Sequence, residues 1–160
     1  MTIGRVLASA LLLVAGVQSK VIFSESFEND VFVSGSWIKS LKEKYANQPV
    51  MVKAPLNAVD GYKSDQGVEL TQEMKYYGFG VEFGNPIALT SDELVIQYEV
   101  KLESLTCGGA YIKLLRESSR IAELDNETPY SIMFGPDRCG SESKVHFIMQ
   151  HQNPVTGVWE

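Results

Sequence analysis

The segment from Cys107 to Cys139 starts with CGGAYIKLL, ends with YSIMFGPDRC and carries an acidic loop between these two parts. Each part places a short apolar strand beside a cysteine. A disulfide between the cysteines would hold the two strands together, and their polar side chains would then lie next to each other on one face. The segment therefore predicts a binding face on an antiparallel pair of strands.

Residues 1–19 have the pattern of a secretory signal peptide, which is removed from the mature protein. They contain one basic side chain, Arg5, then an apolar run over residues 6–17, with Val17 and Ser19 at the small-residue positions of a cleavage site. The apolar run is too short to span a bilayer. We predict one mature domain over residues 20–160.

The charge balance of the chain is acidic. Lys and Arg contribute 14 positive charges against 20 negative charges from Asp and Glu. Arg5 is the one charged side chain in the signal peptide. Its removal leaves 13 basic and 20 acidic side chains, and so a net charge of −7. The sequence has no basic stripe that could neutralise phosphates, which argues against nucleic acid as a partner.

The two cysteines are expected to pair, because the chain is predicted to enter the secretory pathway. Closing a loop of about 33 residues contributes about 3.5 to 4 kcal/mol in the chain-entropy estimate, a large share of a typical domain's net stability. A zinc site is the alternative, but neither cysteine has a second ligand at the usual spacing. His146 and His151 stand five residues apart in a strand pattern.

Alternating apolar residues predict short strands through most of the chain. The clearest pattern is ELVIQYEVKL at residues 93–102, which puts Leu94, Ile96 and Tyr98 on one face and polar residues on the other. Further strands are predicted at residues 21–27, 77–83, 111–115, 130–134 and 144–150. Because no long amphipathic helix is evident, the predicted class is all-β, as an antiparallel sandwich.

Two stretches leave their local structure open or irregular. SWIKSLKEKY at residues 36–45 has Trp37, Leu41 and Tyr45 at helical spacing, which fits either a helical turn or a twisted strand. Residues 46–67 are rich in Asn, Pro, Asp and Gly. This composition predicts a long irregular connection, and such loops often have a function.

The strand after Cys107 has two chemically different faces. Period two puts Tyr111, Lys113 and Leu115 on one face, and the apolar residues between them on the core face. A tyrosine ring can lie against the C–H patches of a sugar while its hydroxyl and a neighbouring ammonium bind sugar oxygens. An ordinary exposed strand face is the alternative interpretation.

Two segments resemble the signature segments of the calnexin and calreticulin family, the lectin chaperones of the endoplasmic reticulum. They are KLESLTCGGAYIKLL at residues 101–115 and IMFGPDRCG at residues 132–140. Shorter flanking segments are similar too: FSESF at 23–27, SDQG at 64–67, ELVIQYEVKL at 93–102 and HFIMQHQNPVTG at 146–157. The last segment is closer to calnexin than to calreticulin. The resemblance implies a concanavalin-like jelly-roll β-sandwich and a disulfide between Cys107 and Cys139.

The resemblance also implies which residues bind ligands. The family's site for the terminal glucose of a monoglucosylated high-mannose glycan corresponds here to Tyr111, Lys113, Tyr130, Met133 and Asp137. A structural Ca²⁺ would correspond to the backbone carbonyls of Ser26, Ser64 and Gln66, with Asp65 as a candidate carboxylate. Hard oxygen donors of this kind suit calcium.

The chain departs from the family pattern at its end. The family continues through a proline-rich arm and further strands, whereas this chain stops at Glu160. We therefore expect residues 20–160 to be an N-terminal part of the lectin domain, with an incomplete sandwich and unpaired strand edges. Any partner that docks on the arm, such as a thiol oxidoreductase, and any membrane anchor would lie outside this chain.

A glycoside hydrolase of the laminarinase type is the rival hypothesis. Glu123, Asp125 and Glu127 alternate, so a strand would put the three carboxylates on one face as nucleophile, helper and general acid. Asn126 and Pro129 make a strand unfavourable there. A solvated acidic loop is the favoured interpretation.

Asn126 also begins a glycosylation sequon with Glu127 and Thr128, and Pro129 beside it disfavours occupancy.

The predicted function is that of a non-enzymatic, calcium-dependent lectin chaperone in the lumen of the endoplasmic reticulum, membrane-anchored if it is calnexin-like. Its expected partners are monoglucosylated glycoproteins and unfolded polypeptides. A glycan-independent holdase is a third possibility.

Trp37 and Trp159 are interpreted as packing residues, and His146 as a hydrogen-bonding strand residue rather than a catalyst.

Overall fold

The strands of the computed structural model pair in antiparallel ladders. The structure describes residues 20–58, 60–61, 64–88, 93–103 and 106–160. Its strands are β1 (Ile38–Lys39), β2 (Val50–Lys53), β3 (Gly67–Leu70), β4 (Phe79–Gly80), β5 (Cys107–Gly109), β6 (Ile112–Leu115), β7 (Tyr130–Cys139) and β8 (Glu142–Met149). One helix, α1 (Glu43–Ala46), and one 3-10 turn, Ile121–Glu123, complete these elements. The predicted all-β class is confirmed.

Strand β7 is the centre of the main sheet. β8 pairs along one edge of β7, from Ile132 opposite Met149 to Cys139 opposite Glu142. β5 and β6 pair with the two ends of the other edge. Between them, the Ala110 amide donates a hydrogen bond to the Pro136 carbonyl over 3.0 Å. This arrangement places three segments around one ten-residue strand.

The β1–β4 ladder and the 3-10 turn contact each other, and an aromatic cluster lies beside them. β1 pairs with β4, and β2 pairs with β3. The ring of Trp37 lies 5.9 Å from that of Phe79, centroid to centroid, and 5.5 Å from that of Phe27. Ser40 is fully buried, and its hydroxyl donates to the Leu124 carbonyl over 2.6 Å. Because this bond joins residues 84 positions apart, it ties the acidic segment to the early part of the chain.

Several predicted strands differ from the observed ones. Residues 93–102 have no ladder partner among the described residues, although Leu94, Ile96 and Tyr98 alternate in burial with their exposed neighbours as predicted. A strand requires interstrand hydrogen bonds as well as alternation. Residues 21–27 form no strand either, and only Phe79–Gly80 pairs within residues 77–83.

The two uncertain stretches contain regular structure. Residues 36–45 hold both a strand, Ile38–Lys39, and the start of a helix, Glu43–Ala46, so each half of that stretch follows a different pattern. The predicted irregular connection over residues 46–67 was wrong at Val50–Lys53, where β2 forms a ladder with β3. This short run has two β-branched valines, which favour a strand despite the flanking prolines and glycines.

Candidate functional site

The predicted sugar-binding side chains lie on one face of the main sheet. Lys113 is directly opposite Met133, which in turn is opposite Ile148. A register shift between Leu114 and Leu115 brings Tyr130 opposite Leu115, and so onto this face. Across β8, Lys144 is opposite Asp137. We call the face that carries Tyr111, Lys113, Tyr130, Met133 and Asp137 the glycan face.

Tyr111 and Asp137 are joined directly. The Tyr111 hydroxyl donates a hydrogen bond to the Asp137 carboxylate. Burial, this hydrogen bond and the carboxylate charge together raise the pKa of Tyr111 to about 12. The phenol therefore stays protonated at neutral pH and can act as a hydrogen-bond donor.

Two glycines make room for this pair. A Cβ on Gly109 would overlap the ring of Tyr111, so the aromatic side chain lies across a position without a side chain. Gly135 has a φ of +150°, and a Cβ there would collide with the Ala110 carbonyl and the Tyr98 hydroxyl. That hydroxyl donates to the Ala110 carbonyl over 2.8 Å. The backbone next to Tyr111 therefore packs against Gly135 and accepts a hydrogen bond from Tyr98.

Lys113 lies at the other end of the glycan face. Its ammonium is 5.2 Å from the centroid of the Tyr130 ring, within the range of a cation–π contact. Burial lowers the pKa of Lys113, and the carboxylates of Asp125 and Glu127 oppose that shift. The acidic turn therefore borders the glycan face on the Lys113 side.

His146 is a further member of the glycan face. It is opposite Gly135 in the β7–β8 register, and its Nε2 lies 4.0 Å from Oδ2 of Asp137, which also accepts the Tyr111 hydroxyl. The rings of His146 and Tyr111 are 6.1 Å apart, edge to face. Alternation along residues 144–150 correctly predicted that His146 shares a face with Lys144 and Ile148. The register that brings His146 to Asp137 has no signal in the sequence.

The cysteines close the opposite end of the face. Cys107 and Cys139 form the predicted disulfide, and they are directly opposite in the β5–β7 register with their Cα atoms 4.0 Å apart. Asp137 is two residues before Cys139, and Gly109 is two residues after Cys107. The disulfide thus fixes the two strand ends from which Tyr111 and Asp137 meet.

Comparison with known proteins gives the family of this chain. The profile of the Calreticulin family matches residues 23–160. The chain belongs to the calreticulin family.

Curated relatives support the same assignment. A calnexin homologue from Helianthus tuberosus is 42% identical over 143 residues, which cover 87% of this chain and 25% of the relative. One from Aspergillus fumigatus is 45% identical over 105 residues, which cover 64% of this chain and 19% of the relative. The chain thus spans a quarter or less of the length of these calnexin homologues.

A solved structure shows the fold. The globular domain of Trypanosoma cruzi calreticulin matches with a TM-score of 0.63 and 32% sequence identity, covering 84% of this chain and 49% of that domain. The fold of that domain is a lectin-like β-sandwich, which confirms the predicted fold class. The calreticulin family is a family of lectin chaperones.

The acidic segment does not have the geometry that the hydrolase hypothesis requires. Glu123 ends the 3-10 turn, whereas Glu127 lies in a later turn. Asp125 is tied to that turn, since the Glu127 amide and the Thr128 hydroxyl both donate to its Oδ1. The three carboxylates therefore do not alternate along a strand.

The residues implied as calcium ligands lie outside the main sheet. Ser26, Ser64 and Asp65 are exposed, and Gln66 is half-buried just before β3. Their carbonyl and carboxylate oxygens have the donor chemistry that Ca²⁺ takes. Among the described residues, no group of three or more His, Cys, Asp and Glu side chains could hold a metal ion.

Both tryptophans have packing roles. Trp37 lies within the aromatic cluster, and its indole nitrogen donates to Glu25 over 3.3 Å. Trp159 stacks on the guanidinium of Arg116 at 3.6 Å and joins the terminal residues to the main sheet.

The predicted signal peptide at residues 1–19 lies outside the described residues. No helix in the described part of the chain has the length and apolarity to cross a membrane.

Proposed function

We propose that this chain contributes the glucose-binding face of a lectin chaperone that binds monoglucosylated N-glycans on folding glycoproteins. The observation that carries the proposal is the glycan face itself. A phenol paired to a carboxylate, an ammonium, a second aromatic ring and a thioether share one face of one sheet.

Each group on that face has a task in sugar binding. The Asp137 carboxylate accepts hydroxyl hydrogens, and the Lys113 ammonium donates to hydroxyl oxygens. The rings of Tyr111 and Tyr130 offer apolar surfaces for the C–H patches of a pyranose. Met133 opposite Lys113 supplies a flexible apolar contact. This mixture is typical of a site for a polyhydroxylated ligand.

The proposal includes a calcium ion and a compartment. Ca²⁺ would be held by oxygens of Ser26, Ser64, Asp65 and Gln66, away from the glycan face, and would stabilise the fold. Action on newly made glycoproteins requires the lumen of the endoplasmic reticulum. A predicted signal peptide and a disulfide both suit that compartment.

The test is calorimetric titration of the full chain with a monoglucosylated mannose oligosaccharide. Lys113→Met is expected to weaken binding at least about tenfold, because it removes a charged hydrogen-bond donor from a half-buried face. Lys53→Met is the matched control, since Lys53 lies on β2 and pairs with Glu69 over 2.8 Å. Equal losses in both variants would contradict the proposal.

Holding of unfolded polypeptides is a second candidate activity. Val145, Phe147 and Met149 alternate along β8 on the face opposite the glycan face, and they are 69%, 64% and 62% exposed. Contiguous exposed apolar side chains of this kind suit binding of apolar segments. Phe147→Ser is expected to reduce suppression of aggregation of an unglycosylated client, whereas Tyr111→Ala leaves it unchanged. If both variants suppress aggregation as well as the native chain does, this activity is contradicted.

A further inference from the structure

Asn126 is presented on an exposed turn. It follows Asp125, whose backbone amide donates to the Thr128 hydroxyl over 2.8 Å, and it precedes the exposed Glu127. The Asn126 amide nitrogen donates to the Glu127 carboxylate at the surface. Asn126, Glu127 and Thr128 form the acceptor sequence for N-linked glycans, and the side-chain amide that would be modified faces solvent.

A cleft of about 660 Å³ lies beside Asn126, between the acidic turn and α1. Tyr76, which is 55% exposed, and Met74, which is 97% exposed, line it with apolar surface. Lys44 adds an ammonium 3.5 Å from the centroid of the Tyr76 ring. A ring, a thioether and an ammonium can contact the C–H patches and hydroxyls of a sugar.

We propose that Asn126 is an N-glycosylation site and that the first sugars of its glycan lie against Tyr76 in this cleft. The donor would be an oligosaccharide linked to a lipid pyrophosphate. The Asn126 amide nitrogen forms a C–N bond to the anomeric carbon and loses one proton. The C–O bond to the pyrophosphate breaks, and the lipid pyrophosphate leaves with the bonding electrons.

None of the residues that line the cleft belongs to the glycan face. Asp125 lines the cleft, where the Lys42 ammonium is 3.9 Å from its Oδ2. The glycan at Asn126 is therefore a covalent modification and not the ligand of Tyr111 and Asp137. The inference rests on the lumenal location in the proposed function, since glycan transfer occurs there.

Occupancy is tested by expressing the full chain in a eukaryotic cell and treating it with a peptide amidase that removes N-glycans. A mobility shift is expected in the native chain and in T128S, which keeps the sequon, but not in N126Q. P129A is expected to raise the modified fraction, because proline after a sequon disfavours transfer. A native chain without a glycan would overturn the proposal.

A reporter sequon separates the two possible failures. S34N creates a sequon with Gly35 and Ser36 in an exposed turn far along the chain from Asn126. If S34N combined with N126Q is modified and the native chain is not, the Asn126 proposal fails while lumenal entry stands. If neither chain is modified, lumenal entry fails together with the proposal.

The position of the first sugars is tested by the rate at which an endoglycosidase cuts between them. On the folded chain, the glycan at Asn126 is expected to be cut several-fold more slowly than the S34N reporter glycan, because the cleft shields it. Y76A should remove that difference, and denaturation should make all rates equal. Equal rates on the folded chain would overturn the placement in the cleft.

Discussion

Gly109 and Gly135 carry no chemistry of their own, yet they determine whether Tyr111 can reach Asp137. One lies under the tyrosine ring, and the other lies where the Tyr98 hydroxyl and the Ala110 carbonyl meet. Period two was enough to predict that Tyr111 and Lys113 share a face. The contribution of His146 could not be predicted, because it depends on the β7–β8 register, which no local pattern specifies.

Gly135→Ala is expected to lower the free energy of unfolding by at least about 2 kcal/mol, since a φ of +150° strains an L residue and the new Cβ collides with its neighbours. Gly84→Ala is the control, because its Cβ would meet nothing within 4 Å. Its effect should stay within about 0.5 kcal/mol. Urea denaturation measures both, and equal stabilities would contradict this role of Gly135.

The raised pKa of Tyr111 predicts that the stability of the fold changes at high pH. Its pKa rises from 10.0 to about 12 in the folded chain, so the hydroxyl stabilises the fold fully below pH 10 and loses that effect as pH rises to about 12. The gap in stability between the native chain and Tyr111→Phe should be constant up to pH 10 and narrow above it. A gap that widens above pH 10 would show the opposite sign of the shift.

Strand β7 is the element on which the glycan face depends, because it contributes Tyr130, Met133 and Asp137 and pairs with three other strands. Its partner β5 has only three residues. The disulfide at the end of this pair therefore holds a ladder that has few hydrogen bonds of its own.

Replacing both cysteines with serine is expected to cost about 3.5 to 4 kcal/mol of stability, the chain-entropy value for a loop of about 33 residues. Glycan binding should weaken as well, since Gly109 and Asp137 would lose their fixed pairing. Reduction of the native chain should produce the same loss in urea denaturation, and the reductant should leave the variant unchanged. A variant as stable as the native chain would contradict this role of the disulfide.

The sequence predicted the strands of the main sheet better than the rest. Residues 111–115, 130–134 and 144–150 overlap β6, β7 and β8, because each is a short run that contains β-branched or aromatic residues. Residues 93–102 have the clearest alternation, and Leu94, Ile96 and Tyr98 are less exposed than their neighbours as predicted. No described strand pairs with them, so they form no ladder. Val50–Lys53 was missed because the composition around it is typical of a loop.

The whole molecule is organised around a sheet with two different faces. One face is the glycan face, with its polar and aromatic side chains. The other face carries the exposed apolar side chains of Val145, Phe147 and Met149. The fold class followed from strand patterns, and the family resemblance implied the sandwich that the Trypanosoma cruzi domain shares. The aromatic cluster around Trp37 could not be predicted, since its members are far apart in the sequence.

The most direct measurement compares the affinity of the full chain for two high-mannose oligosaccharides that differ only in the terminal glucose. Recognition by the glycan face predicts binding at least about tenfold tighter when the glucose is present, because the hydrogen bonds to Asp137 and Lys113 are made to that sugar. The preference should disappear in Tyr111→Ala. Equal affinity for the two oligosaccharides would contradict the proposed lectin function.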